Sequence, residues 1–426
     1  NGPRPLQEFQ YGGELREMQD PDAASAEEWA RFRGPNGAGV SDAKGIPTSW
    51  TEADYAWKVA LPGIGHSSPV LWGDKLFVLS ADPRNATRYT LCLDADSGKE
   101  LWRREFKSES HHLHARNSFA SCSPAADDER VYFAWGTPEK TTLKALTHDG
   151  EDAWEVDLPP FVAMHGFGTS PMIYKDLVVL NMLALESPEQ IKKVEDYDKP
   201  GNAFVVAFDR HTGEQRWRTD RDSSVAAYSV PCVYTNADGE DELICCASGN
   251  DVFSLNPTDG KLNWSVNAFS MRTVSSPVIA GGLIFGSTGS GGGGNYVVAV
   301  QPGDAAKIKY QVKQQAPYVP TPVAHGDLLF LWYDKGIVTC IDAPTGEQVW
   351  QKRIGSNFSG SPVRVGDALY CIDEEGVVFV LSATKEFKQY GKFPLGGPSR
   401  ATPAVARGRM FLRTESQLVA IGGGKG

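Results

Sequence analysis

The stretch SSPVLWGDKLFVLS, residues 67–80, decides the fold because close copies of it return along the chain. It recurs as SSPVIAGGLIFGST at 275–288, PTPVAHGDLLFLWY at 320–333 and GSPVRVGDALYCID at 360–373. A proline anchors every unit, at Pro69, Pro124, Pro171, Pro231, Pro277, Pro322, Pro362 and Pro403. The anchors lie 40 to 60 residues apart, which is the period of a repeat architecture built from supersecondary units. Eight anchors predict eight units.

A second signature follows the anchor in several units. It reads LDADSGKELW at 93–102, FDRHTGEQRW at 208–217, LNPTDGKLNW at 255–264 and IDAPTGEQVW at 341–350. Each copy predicts a strand, a tight turn with Asp or Asn and Gly, and a strand that ends on a large aromatic residue. These aromatic residues are Trp102, Trp154, Trp217, Trp264, Tyr310, Trp350 and Tyr390. We interpret them as packing residues between neighbouring units.

Seven aromatic positions for eight anchors leave one unit incomplete. After Pro403 the chain has three predicted strands, whereas DYAWKVAL at 54–61 is an unpaired strand that carries Trp57. This strand completes the last unit, and closing the ring removes exposed sheet edges. The sequence therefore predicts an all-β fold, an eight-bladed β-propeller of four-stranded antiparallel blades. Residues 51–426 form the propeller, and residues 1–50 form an N-terminal extension with a short helix capped by Ser25 and Glu28.

Composition limits the classes of partner. The 426 residues carry a net charge of −11 with a pI near 5.3, which argues against nucleic acid. The longest apolar run, at 177–185, is too short for a transmembrane segment. Seven cysteines show neither CxxC nor CxxCH spacing, so we expect reduced, buried side chains.

The D-x-x-[ST]-G-[KE]-x-x-W signature after an SxP strand resembles that of the quinoprotein-alcohol-dehydrogenase-like propellers. The resemblance covers residues 54–421. That superfamily contains pyrroloquinoline quinone (PQQ) dehydrogenases and a non-catalytic scaffold of outer-membrane assembly. It implies a periplasmic or secreted protein whose signal peptide is not present in this chain. Because enzymes and scaffolds share the signature, it predicts the fold and leaves the function open.

The enzymes of that superfamily hold PQQ and calcium in the axial funnel, often beside a vicinal disulfide. The family's acidic Trp-Asp element is missing, because no Trp in this chain precedes Asp. Cys245 and Cys246 are adjacent, but they fall within a predicted strand, where consecutive side chains face opposite ways. We therefore expect no cofactor, keep PQQ with calcium as the alternative, and assign no catalytic residue.

The segment before each anchor enters near the propeller axis, where a ligand would lie. The ten residues before each anchor contain seven bases and one acid, Asp222, which reverses the bias of the whole chain. The bases are Arg116, Arg221, Arg272, Lys313, Lys352, Arg353 and Arg400. We predict an electropositive funnel whose candidate ligand-binding residues are His66, Arg116, Asn117, His165, Tyr228, Arg272, Tyr318, Asn357 and Arg400.

The stretch ESHHLHARNSFASCSP at 109–124 raises the question of a metal site. In an extended chain His112 and His114 share a side, which makes them weak candidates as ligands. Neither a carboxylate nor a cysteine completes the shell, so the stretch is better interpreted as a rim loop of the funnel.

Three functional interpretations remain open. The first is a binding or scaffold module with a protein partner, associated with the outer membrane through that partner. The second is a PQQ-dependent alcohol dehydrogenase, of the polyvinyl alcohol dehydrogenase type. The third is a propeller that binds a small anionic or carbohydrate ligand in its funnel.

Overall fold

The repeated strands and turns fold into eight four-stranded antiparallel sheets in a ring, which confirms the predicted eight-bladed propeller. The computed structural model describes residues 27–184, 188–192, 194, 201–223 and 225–423. Blade 1 comprises the strands Val70–Trp72, Lys75–Ala81, Arg88–Asp94 and Glu100–Phe106, and blade 2 comprises Ala125–Ala126, Arg130–Gly136, Thr141–Thr147 and Asp152–Leu158. Blade 3 comprises Met172–Tyr174, Leu177–Leu183, Ala203–Asp209 and Gln215–Asp220, and blade 4 comprises Cys232–Thr235, Asp241–Cys246, Asp251–Leu255 and Leu262–Asn267.

Blades 5 to 8 follow the same plan from the axis outward. Blade 5 comprises Val278–Ala280, Leu283–Thr288, Tyr296–Gln301 and Lys307–Val312, and blade 6 comprises Val323–His325, Leu328–Tyr333, Ile337–Asp342 and Gln348–Arg353. Blade 7 comprises Val363–Val365, Ala368–Ile372, Val377–Ser382 and Gln389–Pro394, and blade 8 comprises Ala404–Ala406, Arg409–Arg413, Gln417–Gly422 and Tyr55–Ala60. The described helices are the short segments Pro35–Gly37 and Glu52–Asp54, both 3₁₀, and Pro188–Ile191, which is α-helical.

Ring closure occurs as the sequence predicts. Tyr55–Ala60 pairs antiparallel with Gln417–Gly422, and Trp57 lies opposite Ala420. The first strand of the propeller is therefore the outer strand of the last blade, and the two ends of the repeat array are joined by main-chain hydrogen bonds.

The recurring aromatic residues join neighbouring blades. At six of the eight positions the ring N–H or O–H donates to a turn carbonyl of the next blade. The pairs are Trp57 with Ala95, Trp102 with His148, Trp154 with Arg210, Trp217 with Pro257, Tyr310 with Ala343 and Trp350 with Thr384. In five of these six pairs, all except that of Trp350, a turn glycine of the next blade lies against the same ring, as Gly98 does against Trp57. The packing role predicted for these residues is confirmed.

A belt of hydroxyl groups also links the blades around the axis. Seven of the eight residues that precede the anchor prolines are Ser or Thr, and each hydroxyl oxygen accepts a main-chain N–H from the equivalent residue of the preceding blade at 2.9–3.0 Å. This hydroxyl belt comprises Ser68, Ser123, Ser170, Ser276, Thr321, Ser361 and Thr402. Val230 holds the eighth position and has no hydroxyl to offer Ser170.

The extension lies across the propeller axis. Trp29 forms a bridge with Leu71 of blade 1, and Val40–Ser41 pairs in parallel with Val363–Val365 of blade 7. Between them the Asn36 amide exchanges two hydrogen bonds with the main chain of Val233 in blade 4. We call residues 29–41 the axial plug, because they join inner strands from opposite sides of the ring.

The predicted helix near Ser25 is not found in the described part of the extension. Ser25 itself lies outside the described residues, and residues 27–34 form turns and the bridge at Trp29. Trp29 and Leu71 of the inner strand of blade 1 exchange main-chain N–H to carbonyl hydrogen bonds of 3.0 and 3.1 Å. These bonds satisfy the main-chain groups of Trp29 that a helix would otherwise satisfy.

Arg33 fixes the plug to blades 6 and 7. Its guanidinium is fully buried and donates to the carbonyl oxygens of Thr321, Pro322 and Pro362 at 2.7–3.2 Å. It also donates to the carbonyl oxygens of Gly37 and Ala38 within the plug. Burial lowers the pKa of Arg33 to about 9. Five carbonyl partners replace the water that this cation loses.

Candidate functional site: the axial cup

The loops that precede the inner strands surround a cavity of about 910 Å³ on the propeller axis. Phe32 of the plug also lines it, and Arg33 behind Phe32 is fully buried. The cavity therefore opens on one face of the ring, and we call it the axial cup. All nine candidate residues line the cup: His66, Arg116, Asn117, His165, Tyr228, Arg272, Tyr318, Asn357 and Arg400. Ligand binding by these residues stays a prediction.

Two of the nine side chains have a structural role in the cup wall. The Asn117 amide nitrogen donates to the carbonyl oxygens of His165 at 2.6 Å and Phe167 at 3.0 Å, and its oxygen accepts the Ser118 N–H. The Tyr228 hydroxyl donates to the Gly166 carbonyl at 3.2 Å. These bonds tie the loops of blades 2, 3 and 4 together, so the wall is shaped by the same residues that the sequence offers as ligand contacts.

His66 and His165 enter the cup as neutral imidazoles. Burial, followed by the charges of Arg400 and Arg413, lowers the pKa of His66 to about 3. Burial, followed by the charge of Arg272, lowers the pKa of His165 to about 4. The Nδ1 atom of each ring is buried and has no hydrogen-bond partner among the described residues. A neutral imidazole can donate through one nitrogen and accept through the other.

His114 lies at the centre of the basic side chains. Its ring centroid is 4.4 Å from that of His165, and its Nδ1 accepts the Arg116 N–H at 3.2 Å, which places the proton on Nε2. Burial lowers the pKa of His114, and the charges of Arg116, Arg272 and Arg400 lower it further. Three guanidinium groups from blades 2, 5 and 8 therefore act on one ring.

The charge of the cup is less one-sided than the sequence predicts. Of the seven bases expected at the funnel, Arg116, Arg272 and Arg400 line the cup. The expectation is wrong for the other four. Lys352 and Arg353 lie in the outer strand Gln348–Arg353, and Lys313 follows the outer strand Lys307–Val312. Arg221 makes an ion pair with the buried Asp251.

Acidic residues that the sequence analysis did not include also reach the cup. Glu374 forms an ion pair with Arg116 and lies 3.9 Å from Arg400. Asp334 lines the cup and accepts the N–H groups of Tyr318 at 2.7 Å and Val319 at 3.0 Å. Burial raises the pKa of Asp334. Both carboxylates come from the turn between the second and third strands of a blade, which lies outside the ten residues before each anchor.

The three histidines of the histidine-rich loop contact different groups. His111 Nδ1 contacts the Glu109 carbonyl oxygen at 3.1 Å, and His112 Nε2 contacts the Met164 carbonyl oxygen at 2.9 Å, whereas His114 lines the cup. Over the residues that the structure describes, no three His, Cys, Asp or Glu side chains are grouped to hold a metal ion. The interpretation as a rim loop fits this geometry.

The described lining of the cup differs from the PQQ and calcium site that the resemblance implies for the enzymes. Asp334 is the one carboxylate among its described lining residues, whereas calcium prefers several oxygen ligands. Cys245 and Cys246 lie in the strand Asp241–Cys246 of blade 4 and pack into separate hydrophobic cores on its two faces. Burial raises the pKa of both thiols, and all seven cysteines are buried and unbonded to one another. The described lining thus offers a poor fit to the enzymes' cofactor, and the expectation of no cofactor stays a prediction.

Comparison with known proteins identifies the family. The family model described as outer membrane protein assembly factor BamB matches residues 50–187, 167–352, 310–390 and 334–423. The chain belongs to this family of PQQ-like propeller repeats. It is 35% identical to the assembly factor BamB of Burkholderia pseudomallei (strain K96243) over 105 residues, which are 24% of this chain and 27% of the relative. It is 27% identical to that of Yersinia pestis over 281 residues, which are 62% of this chain and 64% of the relative.

The chain thus spans about a quarter and just under two thirds of the length of these two relatives. Among solved structures, BamB from Moraxella catarrhalis superposes with a TM-score of 0.62 at 12% identity, covering 86% of this chain and 99% of that one. A europium-containing methanol dehydrogenase superposes with a TM-score of 0.53 at 13% identity, covering 84% and 90%. At such identities the structures show the fold alone, and the fold hosts both scaffolds and enzymes.

None of the helices in the described ranges combines the length and the apolar character that a membrane span needs.

Proposed function

We propose that the chain is an exported scaffold that binds protein partners at the outer membrane and has no chemistry of its own. The observation that carries this proposal is the family match, which extends over residues 50–423 and so includes all eight blades. Relatives matched over part of their length are named as outer membrane protein assembly factors. The protein resides in the periplasm and reaches the membrane through its partner.

The architecture supports a scaffold. Each blade ends in an outer strand whose free edge can add a partner's strand through main-chain hydrogen bonds. The exposed side chains of the outer strands are mixed: Glu100–Phe106 exposes Arg103 and Glu105 together with Leu101. Ring closure and the plug make a rigid platform, which lowers the entropy cost of binding.

Complementation tests this function. Gram-negative cells that lack their own assembly factor would express the chain behind a periplasmic signal sequence. We expect the amount of folded β-barrel protein in the outer membrane to rise, and cross-linking to capture the β-barrel assembly machinery. The same chain without the signal sequence is the control for export. A folded, exported protein that neither restores the β-barrels nor cross-links to the machinery would contradict the proposal.

The absence of a resident cofactor is part of the same proposal and needs its own readout. Calorimetric titration of the purified protein with PQQ and calcium is expected to give no binding heat. A dye-reduction assay with a panel of alcohols, polyvinyl alcohol included, is expected to show no turnover. Tight PQQ binding with alcohol-dependent dye reduction would make the chain a quinoprotein dehydrogenase instead.

A further inference from the structure

The axial cup has the form of a small-molecule site. Its volume of about 910 Å³ lies within the range of roughly 300–1,000 Å³ that is usual for ligand pockets. The plug closes its inner end, because Phe32 lines the cavity and the Trp29 and Arg33 side chains behind it are buried. A blind cavity of this size suits a compact ligand better than an extended peptide, which would have to turn back on itself.

The lining favours an anion. Its charged side chains are Arg116, Arg272, Lys335 and Arg400 against the single carboxylate Asp334. Glu374 offsets part of this charge from behind Arg116. Arg272 is the most deeply placed of the arginines, with 7% of its surface exposed and its guanidinium 6.0 Å from the centre of the Tyr228 ring. Low solvent access strengthens its attraction for a negative group.

The neutral part of the lining favours a ligand with hydroxyl groups. His66 and His165 line the cup with imidazoles whose Nδ1 atoms are buried, which leaves Nε2 as the ring nitrogen that a ligand can contact. Six hydroxyls of the belt line the cup, and accepting an N–H through oxygen leaves each O–H as a donor. Phe32 and Met271 add apolar surface against which the C–H face of a sugar ring can pack.

We propose that the axial cup binds a small anionic sugar, with its acidic group at Arg272 and its hydroxyl groups at His66, His165 and the hydroxyl belt. This inference goes beyond the scaffold function and is independent of it. Carboxylate and phosphate share the chemistry that Arg272 recognises, because both accept two parallel N–H bonds from a guanidinium. A mono- or disaccharide that carries either group fits the volume of the cup.

Calorimetric titration with matched sugars tests the proposal on the full chain. The probes are glucuronate, glucose 6-phosphate, glucose and inorganic phosphate. We expect saturable binding of at least one of the two anionic sugars and at least tenfold weaker binding of glucose. Arg272→Gln is expected to weaken the anionic sugar by about 10- to 100-fold, as the loss of a charged hydrogen bond does. Arg103→Gln, which removes the same charge from the exposed outer strand of blade 1, is the matched control and should bind as wild type does.

Because Arg272 is buried, its variant needs a check that does not depend on folding. Lys335→Gln at the exposed rim of the cup and a titration at raised salt are each expected to weaken binding without unfolding the protein. The proposal would be overturned if glucose bound as tightly as the anionic sugars, or if phosphate were the only probe that bound. It would also be overturned if Arg272→Gln and Lys335→Gln both left the binding heat of the anionic sugar unchanged. Tight binding of PQQ, or displacement only by an acidic peptide, would also overturn it. Complementation of the assembly factor is measured separately, so either function can fail alone.

Discussion

His66 and His165 link the chemistry of the cup to the stability of the fold. Both imidazoles are held neutral in the folded protein, with pKa values of about 3 and about 4, whereas an unfolded histidine titrates near 6.5. Between these values the unfolded chain binds more protons than the folded one. The stabilisation is therefore complete above pH 6.5 and is lost as the pH falls through the folded pKa values.

Substitution of these histidines should flatten the acid limb of the stability curve. We expect the slope of the unfolding free energy between pH 6.5 and 5 to fall from wild type to His66→Gln to the His66→Gln/His165→Gln double variant. The decrease is at most about 1.4 kcal/mol per pH unit for each histidine. The contribution of His165 is smaller, because its folded pKa of about 4 lies closer to this pH range than the value of about 3 for His66. Urea titrations at several pH values measure the slope, and a double variant that keeps the wild-type slope would contradict the argument.

Sequence could predict which residues line the cup but not their charge balance. The nine candidates follow from one rule, since the segment before each anchor proline enters at the axis. Glu374 and Asp334 escape this rule because they belong to a different turn of the blade, and only packing of the blades brings them to the rim. The histidines at 111, 112 and 114 contact different groups because they lie in a loop outside the strands, where the period of a strand does not apply.

At the scale of elements, the turn after the third strand carries the contact that joins neighbouring blades at six of the eight positions. Gly98 has a φ of +71°, and a β-carbon built on it would lie 2.7 Å from the ring of Trp57. Trp57 is held in place by its hydrogen bond of 3.1 Å to Ala95 in the same turn. The glycine of the repeat signature is thus required both by its backbone conformation and by the aromatic residue of the preceding blade.

Comparison of two glycines in blade 1 separates these requirements. Gly73 also has a positive φ, +57°, but a β-carbon there would meet nothing within 4 Å. We expect Gly73→Ala to cost about 1–2 kcal/mol, which is the backbone strain alone. Gly98→Ala should cost about 1–3 kcal/mol more, because the added methyl group displaces a packed ring. Equilibrium denaturation measures both values, and equal losses would show that the ring moves freely.

An extension across the propeller can be expected from the sequence, but the contacts of the axial plug cannot. In the plug, Arg33 donates to the carbonyl oxygens of Thr321, Pro322 and Pro362, which lie 288, 289 and 329 residues further along the chain. Main-chain oxygens are present at every position, so they leave no pattern of side chains to detect. The capping pattern near Ser25 pointed to a helix, whereas the inner-strand edges of the propeller offered hydrogen bonds that outweighed a short helix.

At the scale of the whole molecule, two structures hold the ring together, the closing strand and the plug. The strand Tyr55–Ala60 joins the last blade to the start of the repeat array, and residues 29–41 connect inner strands across the axis. The repeat signature predicts the first from the missing eighth aromatic position. Each blade contacts chiefly its neighbours, so closure is what makes the stability of the ring a property of all blades together.

A truncation series distinguishes the two contributions, with the chain that begins at Glu27 as the reference. A chain that begins at Thr51 loses the plug and keeps the closing strand. We expect it to remain a monomer that unfolds in one transition at a lower temperature. It should also lose the affinity of the cup for an anionic sugar, because the floor at Phe32 is gone.

A chain that begins at Pro62 lacks the closing strand as well and exposes the edge of Gln417–Gly422, so we expect it to self-associate through that strand. Thermal unfolding and light scattering measure these outcomes. A monomeric chain from Pro62 with the stability of the reference would show that the other seven blades suffice, and closure would then have no energetic role.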